Sequence, residues 1–387
     1  MSTTDCIRVL MVSLLPDDPE KVIGGVAGLC SYLCQSLAKR DDIELEVVVP
    51  QSGFSTIRKS RHWQSTVTYL PRLNGRMRVP AKIRSYVHGY ARERNFDVLH
   101  GQAVPSWIPG LKTVPTVVTI HGLNEQDMLY RGNRITRRFC WPLSRFIEQR
   151  RRSQCDNLIL SSPYVKQALK NSIRGTSWTI DNPVRDDFFA TQRNAIPNQI
   201  LFAGIICRRK NLLNLIRALP QIANRVPDVR LRVAGEPSDI NYDRHCKATA
   251  KKLGIEHRID WLGTLTVHEM KTEISRAASL ALCSYQETAP VVISEAMAIG
   301  TPVVTSNRCG MPYMIDHGKT GYLVEPESID SIAFGIVKSL QTQQNEQTTR
   351  ACRSVAERRY RGDHVASKTV EVYRSVMHHF RMPAKTK

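Results

Sequence analysis

The chain has 387 residues, 42% of them hydrophobic, and a formal net charge of +20. That length and apolar content suffice for two ordinary domains with separate cores, and they exclude a fibrous or disordered chain. The charge suits polyanionic partners (nucleic acid, anionic lipid or phosphate-bearing substrates), with a plain solvated basic surface as an equal alternative.

Residues 7–13 form a short apolar stretch that follows Asp5 rather than a basic cluster. This predicts a first buried strand, not a signal peptide. No segment approaches the ~18 apolar residues needed to span a bilayer. The ten cysteines include no Cys-x-x-Cys pair, and several lie in apolar runs such as residues 280–284. Reduced thiols in a cytoplasmic protein are expected, rather than disulfides or a zinc site. A helix is predicted over 26–39, then strands at 44–50, 97–100, 116–120 and 157–161. Ser162 and Pro163 have cap and first-turn chemistry for the next helix. Basic residues crowd this half at 58–61, 72–84 and 134–152. Between 135 and 152, Phe139, Trp141, Phe146 and Ile147 alternate with arginines. The stretch reads either as an amphipathic element for an anionic membrane surface or as a core-facing stripe, with Pro142 interrupting any long helix.

The strand–helix alternation restarts after residue 184. The polar segment 186–198 reads as a linker, and a second series follows with strands at 200–204, 229–235, 259–263, 280–284 and 302–306. Thr266 to Glu269 is a capping box. The tail from 344 to about 382 is helical in pattern, with Val365, Val372, Val376 and Phe380 at helical spacing. Short apolar strands alternating with helices predict an α/β fold: two Rossmann-like, doubly wound parallel-sheet domains with an inter-domain cleft. Chemistry is then expected on loops that follow strands.

Four such loops carry candidate residues. Residues 285–300 hold Glu287 and Glu295 around a helix that Pro290 opens and Gly300 closes. Free amides near Val291, Val292 and Ile293 would suit a phosphate. Glu295 lies roughly 7–8 Å along that helix, at ~1.5 Å per residue, where a carboxylate can accept from ribose hydroxyls. Ordinary helix-terminal acids are the alternative. Residues 204–211 place Arg208, Arg209 and Lys210 in a strand-to-helix loop, able to neutralise a leaving diphosphate. Gly24 and Gly25 open a helix after the first strand, but the Gly-x-Gly-x-x-Gly pattern of a dehydrogenase is absent. His121 ends a strand, where it can bond a sugar hydroxyl or shuttle protons. His100 ends another.

The stretch 287–304, with 310–324 after it, resembles the Glu-x7-Glu segment of retaining GT-B glycosyltransferases of family 4. The resemblance spans nearly the whole chain and is more specific in the second half. It implies a glycosyl transfer from a nucleotide-diphosphate sugar to an acceptor hydroxyl, with retention, no cofactor and no essential metal. It implies a donor-sugar contact and catalytic role for Glu287, ribose binding for Glu295, and diphosphate binding for Lys210. His121 would lie near the donor sugar, and Gly24 and Gly25 beside the donor phosphates and acceptor. Ile205 stands where the family carries an arginine, so Arg208 or Arg209 would substitute, and Tyr313 stands where an acid is frequent. The implied domains are 1–185 on the acceptor side and 196–362 for the nucleotide sugar, with a helix over 363–387 packing back on the first. A glycan or lipid-linked acceptor, in cell-surface polysaccharide or glycolipid synthesis at the inner membrane face, fits this picture. A GT-B sugar-phosphate synthase or phosphorylase is the enzymatic alternative. A basic nucleic-acid-binding protein is the other, disfavoured because aromatic platforms at matched spacings are not evident.

Overall fold

The computed structural model describes residues 6–17, 25–71, 79–102, 113–130, 134–341 and 346–381. The chain forms two compact units. Unit 1 comprises the residues up to Leu123, Pro142–Pro183 and those from Gly362 onward, while unit 2 comprises Asn124–Trp141 and Val184–Arg361.

In chain order the first half contains β1 (Ile7–Val12), α1 (Gly25–Ala38), β2 (Ile43–Ser52), β3 (Arg58–His62), β4 (Ser65–Pro71), α2 (Val79–Glu93), β5 (Val98–Gln102) and β6 (Thr116–Ile120). There follow α3 (Asn124–Asp127), α4 (Arg134–Arg152), β7 (Asn157–Leu160), α5 (Pro163–Leu169) and β8 (Thr176–Thr179). The unit 1 sheet runs β3-β4-β2-β1-β5-β6-β7-β8, with only β3–β4 antiparallel. Its central strands are apolar on both faces because both are covered. Along β1, Val9 and Met11 join one core cluster while Leu10 and Val12 join another. The first cluster also takes Cys30, Leu33 and Leu37 of α1, and the second takes Ile83 and Val87 of α2. Strand β3 is a largely exposed edge bearing Arg58, Lys59 and Arg61. Charges on an edge blunt strand-to-strand aggregation, which gives one of the three basic runs a structural account.

The second half contains α6 (Asp186–Ala190), β9 (Gln199–Ala203), α7 (Leu212–Arg225), β10 (Arg230–Ala234), α8 (Ile240–Lys252), β11 (Ile259–Gly263) and α9 (Val267–Arg276). Then come β12 (Ser279–Leu282), α10 (Val291–Ile299), β13 (Val303–Ser306), β14 (Gly321–Val324), α11 (Ile329–Gln341), α12 (Glu346–Tyr360) and α13 (Gly362–Arg381). The unit 2 sheet is wholly parallel in the order β11-β10-β9-β12-β13-β14. Strand order reverses between β9 and β12, so the loops after these two strands diverge from neighbouring positions and leave a crevice. Helix α13 belongs to unit 1, where Val365, Val370, Val372, Tyr373 and Val376 complete the α1-side core.

Three local expectations are corrected. Pro142 lies inside α4 and does not interrupt it. A proline costs a helix one hydrogen bond and a clash but need not end it when the flanking turns are held elsewhere. The segment after Val184 is not a bare linker, because Phe188 and Phe189 of α6 are buried in the unit 2 core. Pro290 is the N-cap of α10 rather than its first helical residue. The helical tail is also two helices, α12 and α13, parted at Arg361. All ten cysteines are free thiols, six of them buried. Among the described residues, no helix is long and apolar enough to cross a membrane.

The capping box at α9 is formed in both directions: Thr266 accepts from the Glu269 amide, and the Glu269 carboxylate accepts from the Thr266 amide at 2.8 Å. Thr266→Ala should lower unfolding free energy by about 1 kcal/mol. A urea titration checks this as a lower midpoint with an unchanged slope.

Candidate functional site

The crevice at the strand-order reversal of unit 2 gathers the charged residues. After β9 the chain makes a short helical turn over Arg208–Lys210, and Asn211 then adopts a left-handed conformation (φ 57°) to start α7. The Asn211 side-chain amide donates to Cys283 O at 3.0 Å, tying the loop after β9 to the loop after β12, and to Pro326 O at 2.8 Å in the loop after β14. Tyr285 N donates to Arg209 O at 2.9 Å and joins the same loops again. These bonds fix where the side chains on the two loops meet.

They meet at Glu287. Its Oε1 lies 2.5 Å from Arg209 Nη1 and 2.7 Å from Lys210 Nζ. Arg209 also donates to Gln286 O at 2.8 Å, and its Nε lies 3.6 Å from Asp127. Side-chain exposures are 17% for Arg209 and 11% for both Lys210 and Glu287, so the group is mostly out of water. Burial weighs against the Arg209 charge, but Glu287 and then Asp127 more than offset it and its pKa is raised. Arg208 points elsewhere: its side chain is 65% exposed, with Asp239 3.9 Å away. The two adjacent arginines therefore occupy different surroundings, and only Arg209 joins Lys210.

Glu287 is held from behind by its own backbone. Gly310 N donates to Glu287 O at 2.9 Å. A Cβ at Gly310 would lie 1.6 Å from Thr288 O, so this approach admits only glycine. Beyond it, α10 begins with Pro290 at its N-cap, and no side chain caps that end. The amides of Val291 and Val292 in the first turn form an anion-accepting terminus one loop away from Arg209 and Lys210. Glu295 sits half-buried in the middle of the same helix. Burial, reinforced by Asp187 and opposed by Arg185, pushes its pKa up to about 7. The helix closes at Gly300 in a left-handed conformation, as expected.

Unit 1 contributes separate features. Gly25 is the first residue of α1, at φ +64°, with open space where a Cβ would project. Gly24 lies outside the described residues. His121 follows β6 and is engaged at both ring nitrogens: Nε2 is 2.6 Å from Gln102 Oε1, and Nδ1 is 3.1 Å from Asn182 Oδ1. Burial lowers its pKa to about 4, so the ring is neutral near pH 7. A cavity of about 450 Å³ lies among Thr116, Asn157 and Thr176 at the opposite, N-terminal ends of β6, β7 and β8, and contains none of these residues.

Three participants were not anticipated. Asp127 comes from the Asn124–Trp141 segment, which clusters with unit 2 although it precedes Val184 by a long stretch of chain. Tyr130, in the same segment, stacks on Tyr285 with ring centroids 5.7 Å apart and planes 2° from parallel. Asn211 carried the one available signal, since asparagine tolerates the left-handed region.

Comparison with known proteins places each half of the chain. A profile described as Glycosyltransferase Family 4 matches residues 23–188, and one described as Glycosyl transferases group 1 matches residues 184–358. An uncharacterised glycosyltransferase of Methanocaldococcus jannaschii is 32% identical over 179 residues, covering 46% of this chain and 45% of that protein. A D-inositol 3-phosphate glycosyltransferase of Corynebacterium diphtheriae is 34% identical over 127 residues, covering 32% of this chain and 30% of that protein. The chain thus spans about half or less of the length of these curated relatives. Among solved structures, sucrose-phosphate synthase from Thermosynechococcus elongatus aligns with a TM-score of 0.79 at 16% identity, covering 96% of this chain and all of that one. Anabaena HepE in complex with UDP and glucose aligns with a TM-score of 0.70 at 16% identity, covering 95% and 100%. These establish the two-domain GT-B fold.

The Glu295 carboxyl has a folded-state pKa above its ordinary value, so its neutral form is the better accommodated one. Stability from this group is fully present below the ordinary carboxylate pKa and is lost as pH rises through about 7. Glu295→Gln should match the wild type in melting temperature at pH 5 and exceed it by roughly 2 °C or more at pH 8. Parallel thermal melts at the two pH values check the sign.

Proposed function

We propose that this chain, a glycosyltransferase of the group 1 family, moves a sugar from a nucleoside-diphosphate donor to an acceptor hydroxyl with retention of configuration. The observation that carries the reading is the convergence of Arg209 and Lys210 on Glu287 beside the uncapped start of α10. A donor diphosphate takes up two cations and a helix N-terminus together. Support also comes from HepE, whose structures are described in complex with UDP, with UDP and glucose, and with UDP-glucose.

In this mechanism the bond between the sugar anomeric carbon and the β-phosphate oxygen breaks while the acceptor oxygen bonds to the same carbon from the same face. The acceptor proton passes to the departing phosphate oxygen, and the nucleoside diphosphate leaves. Negative charge grows on that oxygen, and Lys210, Arg209 and the amides of Val291 and Val292 stabilise it there. Those two cations supply the charge that a metal would otherwise bring. Glu295, ionised, accepts from the ribose hydroxyls. Glu287 accepts from donor-sugar hydroxyls and keeps the two cations aimed. Both of its cation contacts are to one carboxylate oxygen, which makes it a poor nucleophile and favours same-face attack. Arg209, not Arg208, takes the part of the arginine absent at Ile205.

The acceptor we propose is lipid-linked. The exposed face of α4 presents Leu143 (61%), Phe146 (62%) and Ile147 (38%), three apolar side chains that do not face a core. Arg145 and Arg150 are exposed beside them. An apolar ridge flanked by arginines fits an anionic bilayer surface.

With a panel of UDP-, GDP- and ADP-sugars, Glu295→Ala should raise donor KM about tenfold, the value of one charged hydrogen bond. Glu287→Ala, Lys210→Ala and Arg209→Ala should each lower kcat by about 10²-fold, Arg208→Ala should stay near wild type, and EDTA should leave the rate unchanged. Unchanged kinetics across the first four variants would remove the site assignment. Sugar-phosphate acceptors in the same assay separate a sugar-phosphate synthase. In a sedimentation assay, vesicles containing phosphatidylglycerol should carry the protein down while phosphatidylcholine vesicles leave it in solution. Phe146→Asp should abolish that binding, and equal recovery of the variant would refute the docking face.

A further inference from the structure

A row of polar side chains crosses one face of the unit 1 sheet inside the apolar core. His100 and Gln102 lie on the same face of β5, with Thr119 on β6 beside them and His121 just after β6, and Gln102 is paired to Thr119 in the parallel register. Helix α13 supplies Tyr373 at one end, and Asn182 stands at the other. His100, Gln102 and Tyr373 are fully buried, and Thr119 and Asn182 nearly so. The contacts run in sequence. His100 Nδ1 is 2.6 Å from Tyr373 OH, and His100 Nε2 is 2.8 Å from Thr119 Oγ1 and 3.0 Å from Gln102 Nε2. Gln102 Oε1 is 2.6 Å from His121 Nε2, and His121 Nδ1 is 3.1 Å from Asn182 Oδ1. An apolar row would pack this face without the desolvation cost of six polar groups, so the row calls for a purpose.

We propose that Tyr373 is a positioning residue for His121, setting through His100 and Gln102 which of its ring nitrogens carries the proton. The sense of the row follows from its geometry. A separation of 2.6 Å between His121 Nε2 and Gln102 is at the short limit for N–H···O, so the glutamine oxygen faces His121 and accepts from Nε2–H. The glutamine NH2 then donates to His100 Nε2, which must be bare. His100 carries its proton on Nδ1 and donates it to the Tyr373 hydroxyl. Burial holds both imidazoles neutral, with His100 pushed down to about 3 and His121 to about 4. A neutral His121 with Nε2–H has a bare Nδ1, and the Asn182 oxygen placed against it must then exchange with its NH2; amide oxygen and nitrogen fill nearly equivalent positions, and the network decides between them. His121 is thereby a fixed, neutral group at its strand end and not a proton shuttle.

The row makes a directional prediction. In Tyr373→Phe the His100 Nδ1–H loses its acceptor. His100 moves its proton to Nε2, facing Thr119 and Gln102; the glutamine amide turns over to accept it, and its NH2 now donates to His121 Nε2. His121 must then carry its proton on Nδ1. Long-range ¹⁵N–¹H correlation spectra of ¹⁵N-histidine-labelled full-length protein read this directly. The expected result is Nε2–H for His121 and Nδ1–H for His100 in the wild type, with His121 converted to Nδ1–H by Tyr373→Phe. Gln102→Met cuts the row independently, should leave His121 a mixture of both tautomers, and serves if Tyr373→Phe does not fold. An Nδ1–H wild-type His121, or a His121 that stays wholly Nε2–H in Tyr373→Phe or in Gln102→Met, would overturn the proposal. The effect on turnover rests on the proposed glycosyl transfer: Tyr373→Phe should lower kcat about fivefold with donor KM unchanged. No turnover by the wild type with any donor would count against the reaction alone, because the tautomer readout needs no substrate.

Discussion

The charged site of unit 2 depends on a constraint of topology: β9 is the strand at which the sheet order reverses. Because β10 lies on one side of β9 and β12 on the other, the connections leaving β9 and β12 part company and expose the ends of two loops to each other. Asn211 then fastens the two loops through the Cys283 carbonyl, and holds the loop after β14 through that of Pro326. A cation from the first loop reaches a carboxylate from the second only because the sheet has put them there. Residues more than seventy positions apart in sequence become a 2.7 Å ion pair with no long-range electrostatic guidance required.

Within that crevice the charges are mutually dependent. Arg209 and Lys210 are too little exposed to keep their charge cheaply, and Glu287 and Asp127 compensate them. Removing one carboxylate would leave a buried cation unpaired, which is costlier than losing the pair. An incoming diphosphate meets cations already desolvated and aimed, so little reorganisation remains at the moment of reaction. Glu295 is in the opposite condition. Among the described residues it has no cation at hydrogen-bond range, and burial holds its pKa up at about 7.

Much of this was legible beforehand because strong local rules and the tertiary structure agree. The strands read clearly since parallel strands covered on both faces are apolar throughout, and the Thr266 capping box and Gly300 terminator have few other uses. The failures come where local and tertiary demands diverge. Pro142 breaks a local rule that packing overrides. Phe188 and Phe189 lie among charges, so their segment looked like a linker although both rings are core. Arg208 and Arg209 are adjacent on one helical turn, and no sequence rule tells which way each faces. Asp127 had no signal at all, since its partner Arg209 lies in a distant segment and only the fold brings them together.

The path of the chain between the two units has a consequence for how the molecule is made. It passes from one unit to the other after Leu123, Trp141, Pro183 and Arg361. The α1-side core of unit 1 includes Val365, Val370, Tyr373 and Val376, residues that follow the whole of unit 2 in the chain. Domains normally complete themselves in the order in which they leave the ribosome. Here the unit that emerges first closes last: the sheet face that α1 covers in part is not completed until the whole of unit 2 has been synthesised, and neither unit can be cut out as one continuous fragment.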